Sequence, residues 1–147
     1  MIRRFFLAPA LLISLSCLSG CGFIKKTQEC KAVVDTINAG VVKLKASDEP
    51  GGGDPKKEAA SLKKRADTFD AIVADVKKVP VSVDELKTLT DEYVKLLQDA
   101  SKAAREIAAA YEKSDLAKTR AGIESFNKVV HDEEAVVAKI NKVCSGQ

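Results

Sequence analysis

The chain has 147 residues, of which 46% are hydrophobic, 31% charged and only 5% aromatic. This length suits a single domain, and the abundance of Ala, Lys and Val beside few aromatic residues favours helices over a sheet. There are 24 Lys and Arg against 21 Asp and Glu, and the excess falls to one if residues 1–20, with Arg3 and Arg4, are removed. So small an excess gives no support for nucleic-acid binding.

The first twenty residues have the pattern of an export signal. Arg3 and Arg4 form a positively charged start, residues 5–15 form an apolar stretch interrupted by Pro9, and small residues follow. The apolar stretch is too short to span a bilayer comfortably as a permanent helix. We therefore predict that residues 1–20 are a signal peptide that is removed.

The end of this segment resembles the lipobox of bacterial lipoproteins. Residues 18–21 read Leu-Ser-Gly-Cys, an aliphatic residue and two small residues before a cysteine. The resemblance implies that the thiol of Cys21 is acylated, that the peptide is cut before Cys21, and that the new amino group is usually acylated too. Cys17 is a competing site, but Ser14 occupies the position where the lipobox has an aliphatic residue. The alternative is an ordinary secretory signal that happens to contain a cysteine.

A lipid on Cys21 would anchor the protein outside the cytoplasm, in the bacterial cell envelope. Each buried methylene group contributes about 0.8 kcal/mol, so two or more acyl chains hold a protein firmly at a membrane. In bacteria with two membranes, Gly22 at the next position favours the outer one, since Asp is the residue that retains lipoproteins at the inner membrane. Residues 21–27 are predicted to be a lipid-anchored tether. Lys25 and Lys26 in this tether either attract anionic headgroups or belong to a soluble spacer.

Two cysteines remain once the signal peptide and the lipid are accounted for. Cys30 and Cys144 have only each other as partners, and an exported compartment permits disulfides. Two separate buried thiols or a link to another chain are the alternatives. We predict an intramolecular Cys30–Cys144 bond.

The first half of the chain contains two predicted amphipathic helices. The first runs from Thr27 to near Ser47, and the second begins with Asp54 as N-cap and Pro55 at its first helical position. A Gly-rich break, residues 48–55, separates the two helices. Their predicted apolar stripes are Cys30, Val33, Val34, Ile37, Val41 and Leu44, and then Ala59, Leu62, Ala66, Phe69, Val73 and Val76.

The second half contains two longer predicted helices. Pro80 ends the second helix, residues 82–85 (Ser-Val-Asp-Glu) read as a capping box that opens the third, and a turn is predicted near Ser114 and Asp115. Their stripes are Leu86, Leu89, Tyr93, Leu96, Ala100, Ala103, Ile107 and Ala110, and then Leu116, Ile123, Phe126, Val130, Val137, Ile140 and Cys144, widened by Val129, Val136 and Val143. Gly40 and Gly122 interrupt the first and fourth helices and indicate either close helix approach or a local bend.

Four amphipathic helices joined by short turns predict an all-α domain over residues 28–147, an antiparallel up-down-up-down four-helix bundle. In that topology the start of the first helix and the end of the fourth lie together, and Cys30 and Cys144 occupy these two places. An extended tether of eight residues between Cys21 and Cys30 spans at most about 30 Å. The disulfide is therefore predicted to close the membrane-proximal end.

The sequence contains few groups that support catalysis or metal binding. His131 is the only histidine, so neither an HExxH motif nor a di-iron Glu-x-x-His set is present. His131 could make an adventitious metal contact with Glu134 or Asn127, but an exposed helix flank is the simpler interpretation. The Gly-rich break lacks the lysine and hydroxyl residue of a phosphate-binding loop. We predict a protein that is not an enzyme and that has no cofactor, metal site or catalytic residue.

Two lines of charge are candidate partner surfaces. The second helix carries Lys56, Lys57, Lys63, Lys64, Lys77 and Lys78 beside its apolar seam, and the third carries Glu85, Glu92, Asp99 and Glu106 at heptad spacing. One interpretation is a solvated face with interhelical ion pairs. The other is that the lysines bind an anionic partner, which could be a membrane, a cell-wall polymer or an acidic protein face.

Two classes of function follow from these features. The first is a non-enzymatic, membrane-anchored envelope lipoprotein that acts as a helical interaction or structural module. The alternative is a helical bundle that binds a small ligand or lipid, which needs a cavity. The seam alanines Ala59, Ala66, Ala100, Ala103 and Ala110 indicate close helix packing and therefore favour the first class.

Overall fold

The computed structural model describes residues 20–47 and 52–145, and it describes side chains from Ile24 onward. These ranges form four helices that pack against one another, and they contain no strand: α1 (Gly20–Ser47), α2 (Pro55–Lys77), α3 (Asp84–Glu112) and α4 (Leu116–Ser145). The predicted all-α class is confirmed. None of these four helices combines the length and apolarity needed to cross a bilayer.

Three stretches lie outside the described residues, namely 1–19, 48–51 and 146–147. The first contains the predicted signal peptide except for its last residue, together with the competing Cys17. The second contains part of the predicted Gly-rich break.

Helix α1 begins earlier than the sequence pattern predicts. It starts at Gly20 instead of Thr27, so the residues predicted as a tether, 21–27, are helical. The apolar stripe begins only at Cys30, which is why periodicity placed the start later. At 1.5 Å of rise per residue, Cys21 lies about 13 Å from Cys30 along the helix axis. This is less than half the reach expected of an extended tether.

The start of α2 agrees with the prediction. The Asp54 carboxylate accepts hydrogen bonds from the backbone N–H groups of Lys56 at 2.8 Å and Lys57 at 3.4 Å, and Pro55 occupies the first helical position. Proline has no N–H to lose there, and its fixed φ matches the helix. The helix stops at Lys77, three residues before Pro80.

The predicted capping box at the start of α3 is wrong. The N-cap residue is Val83, whose side chain makes no capping hydrogen bond. The Ser82 hydroxyl instead donates to the carboxylate of Glu29 in α1, at 2.6 Å. A charged acceptor makes a stronger hydrogen bond than a neutral one, so a residue distant in sequence replaces the local cap.

Helix α3 lies between α2 and α4 and is buried on two sides. Of its predicted stripe all residues are buried except Leu96, which is half-buried. A second line is buried as well: Thr90, Val94, Leu97, Ser101, Ala104 and Ala108. Periodicity predicted one buried face, whereas a helix with neighbours on two sides needs two. The small side chains of the second line permit this packing.

The two helix glycines mark places of close helix approach. A Cβ atom on Gly122 would lie 2.6 Å from Cγ1 of Ile107 in α3, and one on Gly40 would lie 2.9 Å from Cγ2 of Ile72 in α2. Real Cβ atoms essentially never come so close to another heavy atom. Close approach, one of the two interpretations the sequence left open, accounts for both glycines.

Part of the predicted stripe of α4 is not in the core. Leu116 is 81% exposed, Ile123 41% and Val130 40%, and Val41 of α1 is 38% exposed. For Leu116 and Ile123 the reason is the length of α1, whereas Val130 and Val41 lie at a groove where α1 packs loosely on α4. The last turn of α1 reaches only the level of Phe126 and Val130, because Leu44 and Lys45 line the same groove as these residues. Between Leu116 and Ile123, the apolar side of α4 is therefore left exposed by the described helices.

Candidate functional site

One end of the molecule is closed by the predicted disulfide. Cys30 of α1 and Cys144 of α4 are bonded, with their Cα atoms 5.4 Å apart, and 114 residues separate them in sequence. This distance lies within the usual range for a disulfide. The predicted pairing is confirmed, and α1 is thereby joined covalently to α4.

Glu29, the neighbour of Cys30, ties the same end of α1 to the connection between α2 and α3. Its buried carboxylate accepts hydrogen bonds from the Ser82 hydroxyl at 2.6 Å, the Ser82 N–H at 2.8 Å and the Val83 N–H at 3.0 Å. These bonds, the Ser82 hydroxyl first, hold the pKa of Glu29 below its ordinary value. We call this group the Glu29 cap. It was missed because sequence reasoning assigned Ser82 to a local capping box.

The lysines of α2 do not form an uninterrupted basic surface. All six are exposed, but three aspartates, Asp67, Asp70 and Asp75, lie between the middle pair of lysines and the pair near the C-terminus of the helix. Arg105 of α3 bridges the first two of these aspartates, at 2.7 Å and 2.9 Å. Positive and negative side chains therefore alternate along this face.

Ion pairs within the bundle include members of the predicted binding surface. Lys63 pairs with Glu112 of α3 at 2.6 Å, and Lys78 pairs with Asp75 at 3.1 Å. Asp75 also accepts from Lys43 of α1, and hydrogen bonds from Lys43 and Lys78 lower its pKa. These contacts support a solvated, ion-paired face. Lys56, Lys57, Lys63, Lys64, Lys77 and Lys78 together stay a predicted partner surface that this geometry does not test.

His131 lies on the exposed side of α4, as do Asn127 and Glu134. Among residues 20–47 and 52–145, no group of three or more His, Cys, Asp or Glu side chains could hold a metal ion. The acidic line of α3, with Glu85, Glu92, Asp99 and Glu106, is likewise exposed.

A groove opens along the seam between α1 and α4, where α1 packs less extensively than it does on α2. It encloses about 280 Å³ and is mainly apolar. We call it the α1–α4 groove, and its lining is Val41, Leu44, Lys45, Arg65, Phe69, Tyr93, Leu96, Leu97, Ala100, Phe126, Val129, Val130 and Glu133. Of the five seam alanines only Ala100 lines it, so the tight packing predicted from the other four coexists with this opening.

Two aromatic rings and two ionisable groups give the α1–α4 groove its character. The rings of Phe69 and Phe126 are in tilted contact, with their centroids 6.0 Å apart. Burial raises the pKa of Tyr93, and the charge of Glu133 raises it further. Burial also raises the pKa of the half-buried Glu133, with a smaller contribution from Glu134. Both shifts have burial as their main cause, so the phenol of Tyr93 and the carboxylate of Glu133 lie in mainly apolar surroundings.

Comparison of the chain with known protein families, with characterised proteins and with solved structures finds no match.

Proposed function

We propose that this chain is a non-enzymatic envelope lipoprotein, held at the membrane by lipid on Cys21, whose bundle acts as a helical interaction or structural module. The observation that carries the proposal is the continuity of α1 from Cys21 to the disulfide. A helix that starts at Gly20 and is fixed at Cys30 connects the lipid attachment point rigidly to the bundle.

An up-down-up-down arrangement of the four helices is part of this proposal. Three contacts support it, since each joins the first half of one helix to the last part of another: Cys30 with Cys144, Lys63 with Glu112, and Gly122 with Ile107. In this arrangement the disulfide end faces the membrane. The opposite end, with Gly52, Gly53 and Ser114, is then displayed about 40 Å away, the rise of α4 from Leu116 to Cys144.

Lipid attachment is tested by fractionation and fatty-acid labelling of the full chain in bacterial cells. Cys21→Ser is expected to abolish both incorporation of labelled fatty acid and partition with the membrane. Cys17→Ser is the matched control and should leave both unchanged. If Cys21→Ser still partitions with membranes and incorporates the label, the anchor is refuted.

The interaction role is tested by photo-crosslinking in cells. A photoreactive amino acid placed at Lys64 or Lys77 of α2, or at Gly52 in the loop, reports neighbours by mass spectrometry. One reproducible envelope protein or anionic polymer supports an adaptor. Cross-links to a second copy of the chain favour a self-assembling element instead. The basic surface itself is refuted if such a cross-link persists after charge reversal at Lys63, Lys64, Lys77 and Lys78.

A further inference from the structure

The α1–α4 groove has the size of a small apolar ligand. A methylene group occupies about the volume of one liquid water, ~30 Å³, so 280 Å³ holds on the order of nine such groups. Along α4 the lining runs from Phe126 to Glu133, which corresponds to about 10 Å of helix. The volume lies at the lower edge of the range for ligand pockets, about 300–1,000 Å³.

The walls of the groove leave apolar surface in contact with water. Val41 of α1 and Val130 of α4 form opposite walls and are each more than a third exposed, while Phe69 and Phe126 contact each other at the wall between them. Removal of this surface from water favours an apolar occupant. A linear acyl chain in the groove would cover both valines at once, since they belong to the two helices that border the opening.

Charge distinguishes the two ends of the groove. Lys45, in the last turn of α1, and Arg65, one turn before Phe69, lie at one end. Glu133 lies near Tyr93 at the other end, since its charge acts on the Tyr93 phenol. A carboxylate head would be attracted by the two cations and repelled by Glu133. An anionic head group therefore has one favourable orientation in this groove.

We propose that the α1–α4 groove binds a free medium-chain carboxylate, with its acyl chain between Val41 and Val130 and its carboxylate at Lys45 and Arg65. The choice of a free acid over a membrane phospholipid rests on the proposed anchor at Cys21. Val41 follows Cys21 by twenty residues, about 30 Å along α1. In the proposed arrangement, with the disulfide end facing the membrane, this places the groove beyond the reach of bilayer lipids.

The test uses the full chain in native membranes and decanoic acid that carries a diazirine and a terminal alkyne. After illumination, digestion and mass spectrometry, we expect label on peptides that contain residues 41–45 and 126–133. Unlabelled decanoate should compete about tenfold better than decylamine, which has the same chain and the opposite charge. A phospholipid with the same photoreactive chain should not label these peptides.

Two matched pairs of variants locate the site. Val130→Glu should reduce labelling about tenfold, because it places a carboxylate against the acyl chain. Ile123→Glu is its control, since Ile123 lies two turns earlier on α4, is equally exposed and does not line the groove. Lys45→Glu should reduce labelling by decanoate, whereas Lys128→Glu should not. Ala100→Leu, which fills the floor, should also reduce labelling, and cooperative thermal unfolding checks that each variant is folded.

Four results would each overturn the proposal: no label on the groove peptides, equal competition by decylamine, label from the phospholipid, or equal loss in Ile123→Glu and Val130→Glu. Failure of the anchor is seen separately, as absence of lipid on the Cys21 peptide. A chain with lipid on Cys21 and no label in the groove refutes the ligand site alone.

Discussion

The two ends of the bundle differ in how α1 is held. At the disulfide end, α1 is bonded covalently to α4 through Cys30 and is hydrogen-bonded through the Glu29 cap to the start of α3. At the loop end, α1 stops at Ser47, and Leu116 and Ile123 of α4 stay exposed. One end is therefore defined by specific bonds, and the other leaves apolar surface uncovered. The α1–α4 groove, lined by Val41 and Leu44 of α1, lies toward the second of these ends.

The largest expected effect on stability comes from loss of the disulfide. Cys144→Ser should lower the free energy of unfolding by about 4–5 kcal/mol, because a loop that long contributes this much on the chain-entropy account. Urea unfolding with and without reductant measures it. Reductant should destabilise the parent chain and leave Cys144→Ser unchanged. A loss below about 1 kcal/mol would mean that non-covalent contacts hold α1 at this end.

Close packing of α3 on α4 near the loop end is tested at Gly122. Gly122→Ala should lower the free energy of unfolding by about 1–2 kcal/mol, because overpacking against Ile107 outweighs the gain in helix propensity. Gly40→Ala should lower the free energy of unfolding by less, since a Cβ atom there would lie farther from its nearest neighbour, Cγ2 of Ile72. Thermal unfolding compares the two. A more stable Gly122→Ala variant would show that the loop end is loosely packed throughout.

The Glu29 cap predicts a pH dependence specific to the disulfide end. Hydrogen bonds lower the pKa of Glu29 in the folded protein from its ordinary value of 4.5. The stability that it contributes is therefore present above that value and is lost as the pH falls through the lower, folded pKa. The free energy of unfolding should fall more steeply below pH 4.5 in the parent chain than in Glu29→Gln.

Other carboxylates contribute to acid unfolding in the same pH range, since the pKa values of Asp75 and Asp115 are also lowered. The difference in free energy of unfolding between the parent chain and Glu29→Gln, followed against pH, isolates the contribution of the Glu29 cap. Glu85→Gln, at an exposed glutamate in the first turn of α3, is the matched control for the removal of one carboxylate. Parallel curves for the parent chain and Glu29→Gln would contradict the role of the cap.

The smallest expected effect lies in the turn between α3 and α4. Ser114 has a φ of 53°, in the left-handed region that favours glycine. Ser114→Gly should therefore raise the free energy of unfolding by about 0.5–1 kcal/mol. Ser125→Gly, on the exposed face of α4, should instead lower it by about 0.5 kcal/mol. Denaturant titration of both variants checks the contrast.

The sequence predicted those features of the fold that depend on neighbouring residues. Asp54 and Pro55 start α2 as expected, since an N-cap needs only the next turn of chain. The four helices follow from the 3–4 spacing of apolar residues. The pairing of Cys30 with Cys144 followed from elimination and from helix order. The lipid on Cys21 and the partner surface on α2 stay predictions.

Only the tertiary structure decided which surfaces are covered. Ser82 fits a local capping box, yet Glu29 takes its hydroxyl because a carboxylate from another helix is a stronger acceptor. Leu116 and Ile123 have the spacing of core residues and are nevertheless exposed, since α1 as described does not extend along that part of α4. Val130 is exposed for another reason, because it lies at the groove where α1 packs loosely on α4. Periodicity reports which side of a helix is apolar. Whether that side is buried or lines a groove depends on where the neighbouring helix ends, and no local pattern carries that information.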